Sequence, residues 1–285
     1  MNKASKNKPA KTAHRSKAKS KGKNASVSSP FTHVRSNLFW TLVALVTVVL
    51  LIFIGKVVID HPFSILPRFG EVKYPAGDIR GIDVSHYQED IDWQRLTSAQ
   101  LNGVPVRFVF IKATEGSDML DSYFNRNFAQ AHKQGIICGA YHFFSTKSSA
   151  KAQARWFCRE VWLDDIDLPP VLDIEQTGGL ATPELRSQVL QWLNHVESHY
   201  GVTPILYTSY SFKKRYLNTP EFDRYPYWIA HYYVDKLKYT GKWHFWQHSD
   251  RGEVDGIDHD VDVNVFNGNY EDLLNMTIGR QKKDD

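Results

Sequence analysis

The chain has 285 residues, 42% of them hydrophobic, room for one domain of about 200 residues with its own core plus appendages, which excludes a wholly disordered protein. Its net charge of +4 conceals an asymmetry: residues 1–37 hold ten Lys and Arg and no acid, leaving 25 basic and 31 acidic residues, a balance of −6, for the rest. A nucleic-acid enzyme carries its positive charge on the folded face that meets phosphate; here the charge sits on a tail, so nucleic acid is disfavoured as a partner.

From Lys3 to Arg35 the tail is Lys, Ser, Ala and Asn with almost no large apolar residue. It cannot bury enough surface to offset chain entropy, and residues 1–37 are expected to be disordered and cytoplasmic. Leu38 to Gly55 (LFWTLVALVTVVLLIFIG) follows without a charge; as a helix these residues span about 27 Å, close to the bilayer core. A transmembrane signal anchor over 38–58 is expected, uncleaved because Lys56 to Asp60 offers no small-x-small site. Basic charge before the span places the amino terminus in the cytoplasm and the body outside it, on the periplasmic side of the inner membrane. Residues 59–77, with their prolines, read as a stiff linker.

The body is expected over 78–270, ahead of a polar tail at 271–285. Short runs of Val, Ile, Tyr and Phe alternate there with helical patterns, which predicts βα units around a parallel sheet. The strands fall at Ile82–Ser85, Phe108–Ala113, Ile136–Phe144, Val171–Glu175, Ile205–Thr208, Tyr227–His231, His244–His248 and Val261–Val265. A helix is predicted from Pro183 to Tyr200, with Thr182 as N-cap, Gly201 beyond its end, and Leu185, Val189, Leu193, Val196 and Tyr200 on one face. The fold class is therefore α/β: an irregular (β/α) barrel of eight strands with reduced helices, since those after the sixth and seventh strands are missing or too short, preceded by one transmembrane helix.

In such a barrel the working residues sit at the carboxyl ends of strands. Those ends carry Asp83, Glu115, His142, Asp173 with Glu175, Tyr207, His231, Gln247 and Asp262. Asp173 and Glu175 lie two apart and so share a strand face. Two carboxyls held together cannot both ionise cheaply, so one keeps a proton near neutral pH, as glycoside cleavage needs. A single acid at a strand end is more often an ion pair or cap; four together point to chemistry. Tyr141, Tyr207, Trp228, Tyr232, Tyr233, Trp243 and Trp246 lie in or just after strands and suit sugar rings, though a barrel also needs inward bulk and about half should be packing. His142, His231 and His248 lack HxxxH or HExxH spacing, so no metal is expected, and no cofactor. No G-x-S-x-G elbow supports a serine nucleophile. Cys138, in an apolar run, and Cys158 read as inert thiols, with a disulfide as the alternative.

The segments GIDVSHYQ, IDW, FVFIKATEG, GAYHFF, PPVLDIE, ILYTSY, YWIAHY, WQH and DVDVNVF, in this order over roughly residues 78–270, resemble the glycoside hydrolase family 25 lysozymes. The resemblance implies an N-acetylmuramidase that hydrolyses the β-1,4 bond between N-acetylmuramic acid and N-acetylglucosamine in peptidoglycan. It implies Glu175 as general acid and Asp173 as its partner, whose charge would raise the pKa of Glu175; Asp83 and Asp262 as the remaining acids of the site; and Tyr141, Tyr207, Trp228 and Gln247 as sugar-facing. The chain departs from the family pattern at Glu89 and Asp90, where glycine is commoner, and at His248, where tyrosine is usual. With two carboxyls so close, the substrate's own N-acetyl oxygen is the preferred nucleophile, Asp173 steadying the amide. The expected protein is a monomer whose partners are peptidoglycan and, through its N-terminal helix, the membrane. The alternatives are a membrane-tethered, non-catalytic glycan-binding protein, which the presence of all four acids argues against, and a metal-dependent deacetylase, which would need a bound metal.

Overall fold

The computed structural model describes residues 39–52, 72–77 and 79–284, and the chain divides into two units, Met1–Pro67 and Arg68–Asp285. In the first unit residues 39–52 form a helix, α1, with every side chain exposed. Among the described residues no helix is long and apolar enough to cross a membrane. The basic tail, the rest of the 38–58 span and most of the 59–77 linker lie outside the described residues.

In the second unit all eight expected strands form. They are β1 (Arg80–Val84), β3 (Val104–Glu115), β5 (Ile137–Phe143), β6 (Val171–Asp173), β7 (Ile205–Ser209), β8 (Tyr227–Ala230), β9 (Phe245–Gly252) and β10 (Val261–Phe266). Two-residue strands β2 (Gln100–Leu101) and β4 (Met119–Leu120) flank β3. The eight close into a ring in the order β1-β10-β9-β8-β7-β6-β5-β3, with β3 pairing back onto β1. No helix follows β8 or β9, as the lengths of those connections predict.

One strand departs from the all-parallel expectation: β10 runs antiparallel to both β9 and β1. Residues 253–260, which join β9 to β10, are too few for the crossover of about a dozen residues that a parallel connection takes, so the pair forms a hairpin. The mouth of the barrel is thus built from the carboxyl ends of seven parallel strands and the amino end of β10. Asp262 reaches the mouth from the start of its strand, not from its end.

Strand alternation sorts the side chains. Phe108, Phe110, Trp228, Phe245 and Phe266 fill the barrel, with Phe110 stacked on Trp228 at 4.3 Å. Rings this large fit because β1 and β5 each present a glycine to them: a Cβ on Gly81 would stand 2.5 Å from the Phe108 ring, and one on Gly139 2.5 Å from the Phe110 ring. The opposite faces, Ile82, Val109, Ile111, Leu172, Leu206 and Ile229, pack outward against the helices.

That outer layer holds α2 (Trp93–Leu96), α3 (Phe124–Lys133), α4 (Ala150–Glu160), α5 (Thr182–Tyr200) and α6 (Tyr210–Tyr216). Leu185, Val189, Leu193 and Val196 of α5 face the core as expected, joined by Trp192. The helix begins one residue earlier than predicted: Ala181 is the N-cap and Thr182 the first helical residue, so no side chain caps this end, while Gly201 closes the other at φ 71°. His142 points into this layer, stacked on Trp192 at 5.3 Å, with Thr114 Oγ1 2.7 Å from Nδ1 and Gln153 Oε1 3.0 Å from Nε2. Desolvation lowers its pKa to about 4, so it stays neutral. Both cysteines are free; burial raises both thiols, Cys158 to about 12.

Residues 271–285, expected as a polar tail, are mostly helical instead: α7 (Tyr270–Asn275) and α8 (Ile278–Asp284). Leu273 and Ile278 are buried, and the amides of Ile278 and Gly279 donate to the carbonyls of Asp167 and Asp165 at 2.8 Å. Two apolar anchors among charged residues suffice to dock so short a segment, a pattern too sparse to register as a period.

Candidate active site

Above the aromatic plug the next inward positions of the strands are polar. Asp83 of β1, Lys112 of β3, Tyr141 of β5, Asp173 of β6, Tyr207 of β7, Gln247 of β9 and Asp262 of β10 all line one cleft of about 250 Å³ at the mouth. The eight residues expected in a site, Asp83, Asp173, Glu175, Asp262, Tyr141, Tyr207, Trp228 and Gln247, are all among its walls.

Asp83 and Asp262 are direct partners across the antiparallel β1–β10 pair and share a side-chain hydrogen bond. Burial raises both carboxyls; the shared bond lowers Asp83 and raises Asp262, so Asp262 keeps the proton and donates it to Asp83. Oδ2 of Asp83 also accepts from Gln247 Nε2 at 2.8 Å and Asn264 Nδ2 at 2.7 Å. Both amides are oriented from behind: Oε1 of Gln247 accepts from the hydroxyls of Tyr207, at 2.6 Å, and Tyr232, and Oδ1 of Asn264 accepts from Trp228 Nε1 at 2.7 Å. Burial keeps the phenols of Tyr141, Tyr207 and Tyr232 protonated, helped by the nearby acids and, for Tyr207, first by its neighbour Tyr232. Asp83 is therefore held in one orientation by amide donors that are themselves fixed by donors behind them.

Asp173 and Glu175 differ sharply. Strand β6 ends at Asp173, two residues sooner than predicted, and Glu175 lies beyond it. Asp173 is only 7% exposed, and its Oδ1 has no hydrogen-bond partner among the described residues; Glu175 is exposed to the cleft. Burial foremost, then the Glu175 charge, pushes the Asp173 carboxyl well above its usual range, with Lys112 opposing. Desolvation thus acts on Asp173 more strongly than the charge of its neighbour does, a contribution that the two-residue spacing by itself does not reveal.

Trp228 is also corrected in part. It is 2% exposed, with one face on Phe110, the Tyr207 ring 4.4 Å away and its N–H bound to Asn264, so it forms the floor of the cleft with no open ring face. The open ring is that of Tyr87, 73% exposed on the cleft wall. It sits in the one-turn helix His86–Gln88, fixed by a capping box between Ser85 and Gln88. The sequence carries no period that marks Tyr87. Asn264 and Lys112 did leave a trace: each is a polar residue at an inward position of an otherwise apolar strand, Asn264 two after Asp262 and Lys112 two after Phe110. His248 and Trp246 of β9 point out of the barrel; Trp246 donates to the His231 carbonyl at 2.9 Å, and burial lowers His248 to about 3.

Among the described residues, the group with the composition of a metal site is His132, Asp164 and Asp167, at the amino ends of β5 and β6, opposite the mouth. Asp167 already accepts from His132 at 2.5 Å and the Asp164 amide at 2.7 Å, which reads as a structural clasp. The cleft itself offers carboxyls, phenols, amides and one ammonium: a set for moving protons and holding hydroxyls or amides.

Residues 82–257 match the family model "Glycosyl hydrolases family 25". The chain is 48% identical over 210 residues to the protein YegX of Escherichia coli K12, covering 73% of this chain and 77% of that one. It is 36% identical over 215 residues to Lysozyme M1 of Streptomyces globisporus, covering 69% and 70%. Among solved structures, the bacterial lysozyme from Streptomyces coelicolor superposes with a TM-score of 0.66 at 34% identity, covering 72% of this chain and 99% of that one.

Proposed function

From the premise that this chain belongs to glycosyl hydrolase family 25, we infer that its cleft cleaves peptidoglycan at the β-1,4 bond between N-acetylmuramic acid and N-acetylglucosamine. The protein is a glycosidase of the lysozyme type. The observation that carries the reading is the composition of the mouth, where four carboxyls and their orienting amides and phenols converge on one cleft above an apolar plug.

In the proposed mechanism the exposed Glu175 gives its proton to the glycosidic oxygen as the bond to C1 breaks, since that oxygen leaves poorly as an alkoxide. The substrate's N-acetyl oxygen forms the new bond to C1 from the opposite face. Asp173, as a carboxylate, accepts the amide N–H and steadies the positive charge that develops. Water then attacks C1, returning its proton to Glu175 and restoring the N-acetyl group. The Asp83–Asp262 pair, with Gln247 and Tyr207, positions sugar hydroxyls. The retained acids weigh against a tethered binding protein without turnover.

The anchor and the location belong to the same proposal. The charge-free run at 38–55 behind a basic tail supports a single-pass inner-membrane protein with its catalytic unit in the periplasm, where peptidoglycan lies. The decisive experiment incubates the purified protein with peptidoglycan, reduces the products with borohydride and identifies the new end. Muramitol supports the reading; glucosaminitol, or no new end, overturns it.

A further inference from the structure

Lys112 is an anomaly in the barrel. Inward positions of β3 read Phe108, Phe110 and then Lys112, and the lysine is 8% exposed. Burying an ammonium in a wall that would accept an apolar side chain costs free energy unless its charge is used. Its nitrogen is clamped rather than free to swing: Nζ lies 2.7 Å from Glu115 Oε2 and 5.0 Å from the centre of the Phe143 ring. Phe143 is the register partner of Asp173 on the adjoining strand, and Lys112 and Asp173 line the same cleft, so the clamp holds a fixed positive charge near a buried acid of the site.

We propose that Lys112 is a positioning residue for Asp173: its ammonium favours the carboxylate form of Asp173, and Glu115 sets how strongly it does so. The inference rests on the muramidase reading only in giving that carboxylate a task. Around Asp173, Glu175 beyond β6, Asp83 on β1 and Glu115 on β3 all repel a negative charge, and Lys112 alone of the strongly acting groups attracts one. Asp262 on β10 adds to the acidic side through its bond to Asp83, while the phenols of Tyr141 and Tyr207 stay neutral. Without a cation the cluster would raise the Asp173 carboxyl further, and a protonated carboxyl accepts the amide N–H of the substrate more weakly and has no negative charge to offset the positive charge that develops there. Glu115 keeps the ammonium from being wholly spent on Asp173, so the two side chains act with opposite sign.

The test is a set of three variants in the full-length protein, Lys112→Met, Lys112→Arg and Glu115→Gln, read in two ways. One is kcat/KM against pH on soluble glycan fragments; the other is the pH titration of the Asp173 carboxyl by carbon-13 NMR, which needs no turnover. Lys112→Met should move the acid-side limb and the carboxyl titration up by about one pH unit or more. Glu115→Gln should move both down, and Lys112→Arg should leave both near wild type. Because the acids titrate as a cluster, direction is the criterion. A Lys112→Met protein that loses rate while limb and titration stay in place overturns the proposal, as does an upward or absent shift in Glu115→Gln. If Lys112→Met fails to fold, the Glu115→Gln shift decides. If wild type yields no muramic acid ends, the functional reading fails while the titration still judges this inference.

Discussion

Two acids separated by a single residue have opposite surroundings, and each difference makes a prediction. Glu175 lies open to the cleft, where a leaving oxygen can reach it. Glu175→Gln keeps its shape and removes the proton, so kcat should fall about 10² to 10⁴-fold while glycan fragments still bind; a variant with near-normal turnover would refute the role. Asp173 is buried with one oxygen unpartnered and its pKa is raised. The stability such a group contributes is fully present below its unfolded pKa, near 4, and is lost as pH rises through its folded value. Asp173→Asn should therefore be inactive yet more stable than wild type at pH 7, by about 1.4 kcal/mol for every tenfold by which folding weakens the acid. The gain should fade as pH approaches 4. Thermal melts of both proteins from pH 4 to 8 decide this, and an equal or lower melting temperature at pH 7 would count against the buried-charge account.

At the scale of elements, the barrel depends on matched sizes. The rings of Phe108 and Phe110 occupy space that Gly81 and Gly139 leave open, and the methyl of Gly139→Ala would press on Phe110, which in turn supports Trp228. Overpacking of this kind costs about 1–3 kcal/mol. Chemical denaturation of Gly139→Ala should show that loss, and an unchanged midpoint would mean the plug is looser than its distances indicate. The hairpin of β9 and β10 has a functional consequence, because reversing β10 brings Asp262 into register with Asp83 and puts the Asn264 amide within hydrogen-bond reach of it. Had β10 run parallel, Asp262 at its start would have lain at the far end of the barrel.

For the whole molecule, the charge distribution makes the testable statement: ten basic residues precede the apolar run and the remainder is net acidic. A reporter active only outside the cytoplasm, fused after Asp285, should be active, and the full-length chain should sediment with membranes. Soluble protein starting near Asp60 would instead mean the segment is removed. The sequence by itself determined the eight strands, the α5 face and all four acids, because periods of two and 3.6 residues and strand-end positions are local properties of the chain. Only the tertiary structure decided the direction of β10, which carboxyl is desolvated, that Trp228 is floor and Tyr87 is wall, and that Lys112 is buried in the wall of the same cleft as Asp173. Each of these depends on what distant segments place beside a residue: a loop's length sets a strand's direction, and the burial that shifts a pKa or covers a ring is contributed by neighbours far away along the chain.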